Sequence, residues 1–419
     1  MTRTEKNAPL VIIGASYAGL QLASSARELG FEEDILIVGD EPHPPYQRPP
    51  LSKGLLTGKA TVDQLWLRSP EFYAQKRIEL CLGRRVTALD PGARRLTLDD
   101  GTVLEHGWLA LTTGARARAL PLPGAELDGV LPLRTLDDAL RVAEAAASAR
   151  AVCVIGGGFI GLEVAAALRT RGAEVSVIET QPRLLARSMP ALMSAFVENA
   201  HRQRGVEVLT GRGVRGLVGA HGRVAAVELA DGQRIDCDLV VLGVGVWPNG
   251  ELARDAGLTV DNGIVTDPLG RTSAERVLAA GDVAAVASMP GAPRVRHESI
   301  QAATDGARAA ASLLVDKPRP NTAVPWFWSD QFELKFQMAG VAREGDEAVV
   351  RGEPDSARFS VFYLRDGAIA AAHSVNRPGE HLLSRQLIAA GARLAPETLA
   401  DPDSDLKAAL AAMVTPAAA

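Results

Sequence analysis

Ala151-Val-Cys-Val-Ile-Gly-Gly-Gly-Phe-Ile-Gly-Leu-Glu163 is the stretch whose reading decides the fold. Its apolar, β-branched start predicts a buried strand, and the amphipathic pattern running on to Arg171 predicts a helix. Between them lie glycines at 156, 158 and 161. Strand, tight turn and helix in this order turn free backbone N–H groups toward a pyrophosphate. Gly156 suits the turn, Gly158 lets the backbone approach the phosphates, and Gly161 allows close helix–strand packing. A second strand over 174–178 runs into Glu179, eighteen residues past Gly161, where a carboxylate holds a ribose 2′-hydroxyl.

The same design occurs earlier in the chain. An apolar run over 10–13 leads into Gly14-Ala-Ser-Tyr-Ala-Gly19 and a helical pattern to Leu29. The next strand, over 35–39, ends in Asp40, twenty-one residues past Gly19, again a candidate ribose acid. Ser16 stands where the second copy has its middle glycine. It costs some backbone closeness, but its hydroxyl can donate to a phosphate oxygen. Behind each copy a β-rich section follows at a similar distance. Leu96-Thr-Leu-Asp-Asp-Gly-Thr-Val-Leu104 precedes Trp108-Leu-Ala-Leu-Thr-Thr-Gly114, and Val227-Glu-Leu-Ala-Asp-Gly-Gln-Arg-Ile235 precedes Leu239-Val-Val-Leu-Gly-Val-Gly245. The chain therefore repeats one nucleotide-binding unit at domain scale, with room for FAD in one copy and a nicotinamide cofactor in the other.

At 419 residues the chain exceeds one ordinary core and predicts two or three domains. Its net charge of −5 gives no electrostatic footprint for nucleic acid. Residues 1–9 lack the apolar core of a signal peptide, and no apolar run reaches the roughly 18 residues of a membrane span. Cys81, Cys153 and Cys237 are far apart, form no C-x-x-C, and read as buried small hydrophobes. These features predict a soluble cytoplasmic protein with no membrane partner and no metal site, as a monomer or weak dimer. The tail over 414–419 reads as disordered.

Four further segments carry candidate chemistry. In Pro44-Pro-Tyr-Gln-Arg-Pro-Pro-Leu-Ser-Lys53 the prolines stiffen an extended path that presents Arg48 and Lys53. Either a role at an anionic or electron-rich ring or an ordinary surface lysine fits that pattern. Thr135 is placed to cap a helix over 136–149, with Asp137 and Asp138 at its positive end. Arg134, just outside, reads as a surface charge or a pyrophosphate partner. Asp282 closes Ala279-Ala-Gly-Asp282 and reads as a polyol-binding acid or a turn aspartate, before a helix over 298–315. Pro325-Trp-Phe-Trp-Ser-Asp-Gln331 concentrates aromatics in a chain poor in them, for a core, a flavin or an interface. Short strands over 359–364 and 369–374 and a helix to Ala390 then predict a compact α+β domain.

Tyr46–Lys53, Arg134–Asp138, Ile155–Glu163, Pro248-Asn249 with Glu251-Leu-Ala253, Gly281-Asp282, Pro325–Gln331 and Val375-Asn-Arg-Pro378 together carry a resemblance. From Leu10 to Arg377 the chain resembles the FAD-dependent, NADH-using ferredoxin reductases of bacterial haem-thiolate monooxygenases and Rieske-type oxygenases, the putidaredoxin-reductase-like group. The resemblance implies an α/β fold: two Rossmann-like dinucleotide-binding domains, of the flavoprotein disulfide-reductase-like kind, plus a C-terminal α+β domain. On that pattern residues 1–115 and 250–323 form a discontinuous FAD-binding domain, 116–249 the NADH-binding domain and 324–419 the C-terminal domain. It implies that Gly14, Ser16, Ala18 and Gly19 approach the FAD pyrophosphate, Asp40 its ribose and Val86 its adenine. Arg48 and Arg134 join the FAD site, Asp282 takes the ribitol chain, and Ile300 heads a helix near the pyrimidine end. Gly156, Gly158, Ile160, Gly161, Glu179 and Gly245 line the nicotinamide cofactor. Lys53, paired with Glu163, would lie near the flavin N5 edge and Trp328 beside the ring, as catalytic residues.

The implied reaction passes a hydride from NADH to FAD, which releases single electrons to an external 2Fe-2S ferredoxin. Glu179 favours NADH because a carboxylate repels a 2′-phosphate, while Arg183 and Arg187 nearby soften that bias. Glu163 also reads simply as an acid in the first turn of its helix. Ferredoxins are usually acidic and this chain is acidic too, so docking needs a local basic patch. Arg308 and the face around Trp328 are the candidates. Two departures from the group stand out, Ser16 for a glycine and Gly306 for a common glutamine. A thiol-based disulfide, coenzyme A disulfide or peroxide reductase would need cysteine near the flavin, and residues 43–53 have none. The alternatives are an NADH-dependent rubredoxin reductase, an NADH oxidase, or, more distantly, a non-enzymatic redox-dependent interaction flavoprotein like the apoptosis-inducing-factor group.

Overall fold

The two glycine-led repeats each build a five-stranded parallel sheet. Parallel strands bury both faces, so their sequences read as continuous apolar runs. Leu10–Ile13 is buried at every position and pairs in register with Ile35–Gly39 on one side and Trp108–Leu111 on the other. Val277–Ala279 and Ile78–Leu82 complete that sheet at its two edges. The second sheet has the same plan, with Ala151–Ile155 between Glu174–Glu179 and Leu239–Leu242, and Val206–Thr210 and Val130–Pro132 outside. Each β-rich section is a three-stranded antiparallel sheet: Val86–Asp90, Arg95–Leu98 and Val103–Glu105 in the first copy, Val214–Ala220, Arg223–Leu229 and Arg234–Asp236 in the second. The expected two Rossmann-like folds are present. So is the C-terminal α+β fold, an antiparallel sheet of Trp326–Gln331, Leu334–Gly340, Ala368–Val375, Arg358–Arg365 and Glu347–Glu353 followed by the helix Pro378–Ala389.

This computed structural model describes residues 9–287 and 294–414. All but the first residue of the tail over 414–419, and all but the last of residues 1–9, lie outside the described residues. The chain divides into two units, Met1–Gln47 with Val62–Arg116 and Val246–Ala323, and Arg48–Thr61 with Ala117–Gly245 and Val324–Ala419. Among the described residues no helix is long and apolar enough to cross a membrane.

Alanine does much of the packing in the first unit. Ala18, Ala23 and Ala26 of the helix Tyr17–Leu29 share one core cluster with Ala303, Ala307, Ala310 and Ala311 of the helix Ile300–Leu313. Small side chains let two helices approach closely over the same sheet. Two helices are shorter than expected. The helix over 136–149 stops at Ala145, although Thr135 caps its start in a capping box with Asp138. The helix over 298–315 begins at Ile300, because Ser299 accepts from Ala302 N–H at 3.1 Å and so stands outside it. Cys153 and Cys237 are buried as expected, whereas Cys81 is only half-buried at a sheet edge.

Gly306 sits in mid-helix, and a Cβ there would meet only Ala280 at an ordinary 3.8 Å. Gly306→Ala should therefore stabilise the chain by about 0.5–1 kcal/mol, read as a higher urea midpoint at unchanged slope. His373 is buried in the C-terminal sheet, and burial pushes its pKa from 6.5 down to about 4. Between those values the unfolded chain binds more protons than the folded one. Stability present above pH 6.5 is then lost as the pH falls, by about 3 kcal/mol for this residue. His373→Leu should lose less stability than the parent protein over that interval.

Candidate functional site

Both glycine loops are built as phosphate cradles. Gly14 has φ +119° and Gly156 φ +113°, a backbone region that other residues rarely adopt. A side chain at Gly14 would overlap the Thr112 carbonyl, and one at Gly156 the Gly243 carbonyl. At the helix starts, Gly19 lies against the Gly14 carbonyl and Gly161 against the Gly156 carbonyl. At these four glycines there is no volume for a Cβ atom, whereas Gly158 has open space before it. In the second copy Gly158 is the N-cap, with no side-chain cap, so the first-turn N–H groups remain for an anion. In the first copy Ser16 is the N-cap. Its hydroxyl accepts weakly from Gly19 N–H at 3.5 Å and lies 3.3 Å from the Thr112 carbonyl oxygen. The hydroxyl expected to face a phosphate is thus turned to Gly19 of its own helix start and to the Thr112 carbonyl of a neighbouring strand end. Both cradles fit a dinucleotide pyrophosphate.

The two acids differ. Asp40 is exposed just beyond its strand, 3.5 Å from Arg85. Glu179 folds back on its loop, accepting from Gly157 N–H at 2.8 Å and from Gln181 N–H at 2.7 Å. Arg183, expected to soften cofactor choice, instead donates to the Met189 and Ala186 carbonyls at 2.6 and 3.0 Å. A side chain added at Gly245 (φ +95°) would come within 3.6 Å of the Arg187 guanidinium and 3.7 Å of that of Arg118.

The strongest electrostatic feature lies inside the second unit. Pro49–Ser52 forms a short 3₁₀ turn that sets Ser52 and Lys53 side by side. Lys53 Nζ lies 2.6 Å from Glu163 Oε2, and Ser52 Oγ donates to the same oxygen at 2.5 Å. Ser329 Oγ donates to Oε1 at 2.6 Å. The Glu163 side chain is 2% exposed and that of Lys53 20%. Burial pushes the Glu163 carboxyl above its ordinary value, while Lys53 and the two hydroxyls pull the other way. The reading of Glu163 as a first-turn acid is corrected. The helix starts at Phe159, which leaves Glu163 one turn in, beyond the reach of the helix end, and facing Lys53.

Other expected residues fall as follows. Arg48 Nη1 donates to the Arg134 carbonyl at 2.7 Å, so these two candidates meet. The N–H groups of Arg134 and Thr135 both donate to Asp138 Oδ2, at 3.1 and 3.0 Å. Ala18 is buried in its helix, Ile160 is 45% exposed at the second position of the other, and Val86 heads its strand. The Asp282 carbonyl accepts from Arg296 at 3.0 Å, and Ile300 is the first residue of its helix. Trp328 stacks on Trp326 at 5.5 Å and is half-buried. Arg308 is exposed and pairs with Asp305 on the same helix. Ser52, Ser329, Gln331 and His201 were missed. The first three lie inside motifs already quoted, but nothing in a single sequence brings 52, 163, 201 and 329 together.

Removing the acid strands a partly buried cation and two hydroxyls. Glu163→Ala should lower stability by about 3 kcal/mol in urea denaturation, and a loss below about 0.5 kcal/mol would show that the pair contributes nothing.

Known proteins resemble this chain over most of its length. The sequence profile described as pyridine nucleotide-disulphide oxidoreductase matches residues 8–307, and that described as reductase C-terminal matches 326–410. Rhodocoxin reductase of Rhodococcus erythropolis is 45% identical over 402 residues, covering 96% of this chain and 94% of that protein. Putidaredoxin reductase of Pseudomonas putida is 40% identical over 411 residues, 97% of each. The crystal structure of a ferredoxin reductase from Rhodopseudomonas palustris matches with TM-score 0.93 at 39% identity, covering 96% of this chain and 99% of that one. That of a covalent putidaredoxin reductase–putidaredoxin complex matches with TM-score 0.93 at 40% identity, covering 97% and 99%. Similarity over both nucleotide folds and the C-terminal sheet settles the lineage: this chain belongs to the pyridine nucleotide-disulphide oxidoreductase family, in the group of rhodocoxin and putidaredoxin reductases.

Proposed function

We propose that this chain is an NADH-dependent flavoprotein reductase that passes electrons through FAD to a 2Fe-2S ferredoxin serving a monooxygenase or Rieske-type oxygenase. The observation that carries this reading is a chain with two dinucleotide cradles, a buried carboxylate paired with a partly buried lysine, and no thiol suited to take the electrons. Cys153 and Cys237 are buried, and burial pushes both thiols up, Cys237 to about 12. Cys81 is raised as well, again chiefly by burial. A protonated thiol is a poor nucleophile, so a disulfide step inside this chain is disfavoured. Electrons must leave to an external acceptor.

FAD, when bound, takes two electrons from a nicotinamide and releases them singly. The protein's part is to hold and orient. Gly14, Ser16, Ala18 and Gly19 are assigned to the FAD pyrophosphate, Asp40 to its ribose, Val86 to its adenine, Asp282 to its ribitol and the Ile300 helix start to its pyrimidine end. Gly156, Gly158, Ile160, Gly161 and Gly245 are assigned to NADH, with Glu179 taking the ribose hydroxyls. The roles that the resemblance implies for Arg48, Lys53, Arg134, Glu163 and Trp328 belong to the same proposal, as do its domain boundaries and a cytoplasmic monomer or weak dimer.

NADH-dependent cytochrome c reduction, with and without added 2Fe-2S ferredoxin, tests the assignment. Activity that ignores the ferredoxin would sink it in favour of an oxidase. Because Glu179 also braces the glycine loop, Glu179→Ala should raise the Michaelis constant for both cofactors, but about tenfold more for NADH than for NADPH. Equal effects would remove Glu179 from ribose recognition. Arg308 makes only an exposed pair with Asp305, worth little to the fold. Arg308→Glu should therefore slow ferredoxin reduction severalfold at low salt and leave ferricyanide reduction unchanged. If both fall together, Arg308 is no part of the docking surface.

A further inference from the structure

From Glu163 a buried file of hydrogen bonds runs on, away from Lys53. Ser329 Oγ, which donates to Glu163 Oε1, accepts from Gln331 Nε2 at 3.1 Å. Gln331 Oε1 lies 2.8 Å from His201 Nε2. Glu163 is 3% exposed, Ser329 0%, Gln331 1% and His201 1%. Polar groups buried to this depth are costly unless each is satisfied. Alternation along Trp326–Gln331 sets Ser329 and Gln331 on the same face as Phe327, whose ring meets Phe159 at 4.7 Å. His201 comes from the helix Ala191–Gln203. One strand of the C-terminal sheet thereby joins two helices of the nucleotide fold.

The file has a direction. The Gln331 amide oxygen can only accept, so His201 must offer Nε2–H. Gln331 then donates its own N–H to Ser329, which leaves the Ser329 proton for the carboxylate. Every donor points toward Glu163. The reverse order needs a protonated Glu163 donating to Ser329, the Gln331 amide turned over, and the His201 proton on Nδ1. Among the described residues Nδ1 has no polar partner, and a buried N–H without an acceptor is among the rarest groups in folded proteins. The interior selects the first order.

The charges facing this file are few. Lys53 faces Glu163. Arg204 faces the histidine end, itself paired with Glu333 and lying over the Phe332 ring, whose edge meets His201 at 5.2 Å. Burial, the largest influence, holds His201 down to about 4, so the ring is neutral at the pH where the chain would work.

We propose that His201 and Gln331 are positioning residues for the Lys53–Glu163 pair: by fixing which way the Ser329 hydroxyl points, they keep Glu163 ionised as the partner of Lys53. The proposal rests on the assignment of that pair to the reductive site. Oε1 has a donor independent of the lysine, so the carboxylate is held even when Lys53 moves.

The test begins with the unaltered holoenzyme labelled with nitrogen-15 histidine, whose seven histidines are few enough to resolve. Long-range nitrogen–proton correlations should show neutral His201 protonated at Nε2, and an Nδ1–H tautomer would overturn the proposal. Infrared difference spectra then follow the Glu163 carboxyl with pH, its band identified by its loss in Glu163→Gln. His201→Phe or Gln331→Leu should raise its protonation midpoint by about one pH unit, a tenfold change in proton affinity. His201→Gln, which can still offer an N–H, should bring the midpoint most of the way back to the parent value. Variants that melt lower yet keep the parent carboxyl titration would reduce His201 to a packing role and overturn the proposal. The infrared readout uses no NADH. If Glu163→Gln retains the full rate of NADH oxidation, the catalytic assignment of the pair fails while the file is judged on its own titration.

Discussion

A carboxylate with almost no exposed surface has to find its hydrogen-bond donors inside the protein, and that need organises the second unit. Glu163 draws them from Ser52, Lys53 and Ser329. Those residues are separated from it by more than a hundred positions in either direction. Each donor fixes a segment. The proline-stiffened 3₁₀ turn delivers two of them at once, and from the far end of the same helix Arg171 donates to the Leu56 carbonyl at 2.8 Å. Ser52, Lys53 and Leu56 thus tie this segment to the helix Phe159–Thr170 and its C-cap, and residues 48–61 belong to the second unit rather than to the sheet that precedes them in sequence. Losing one donor leaves a buried charge partly unmet, which costs more than any surface pair contributes.

The two glycine loops show how one backbone solution serves two copies with different trim. Both use a left-handed glycine against a carbonyl of a neighbouring strand end, and both press the helix start onto that glycine's own carbonyl. They differ at the N-cap. Ser16 closes part of its loop with its hydroxyl, whereas Gly158 leaves the helix start bare. The acids differ likewise, Asp40 reaching outward beside Arg85 and Glu179 bracing the glycine loop itself.

Local patterns made much of this legible. Glycine spacing, the strand before it, the helix after it and the acid beyond depend on neighbours within about 25 residues, so a single sequence displays them. Thr135 with Asp138 was legible for the same reason, since a capping box closes within four residues. Ser299 is an equally local cap, and the helix over 136–149 ends short of its alanine-rich pattern, which carries no stop signal. Lys53 and Glu163 were legible as a pair only through resemblance to a family.

The sequence by itself determined the two nucleotide folds, their order, the stiff basic segment that interrupts the first and the aromatic strand that follows both. Short-range sterics and hydrophobic period suffice for these, because each strand, turn and helix carries its own signal within a short stretch of chain, even where its sheet partner is distant. Only the tertiary structure decided which oxygen of Glu163 meets Lys53, and that Ser329, Gln331 and His201 continue the contact inward. It also decided that Arg183 is held by carbonyls of its own loop. Those outcomes depend on which distant polar groups end up sharing a space without water. That is a property of the packed interior, where every donor must find an acceptor, and no spacing along the chain encodes it.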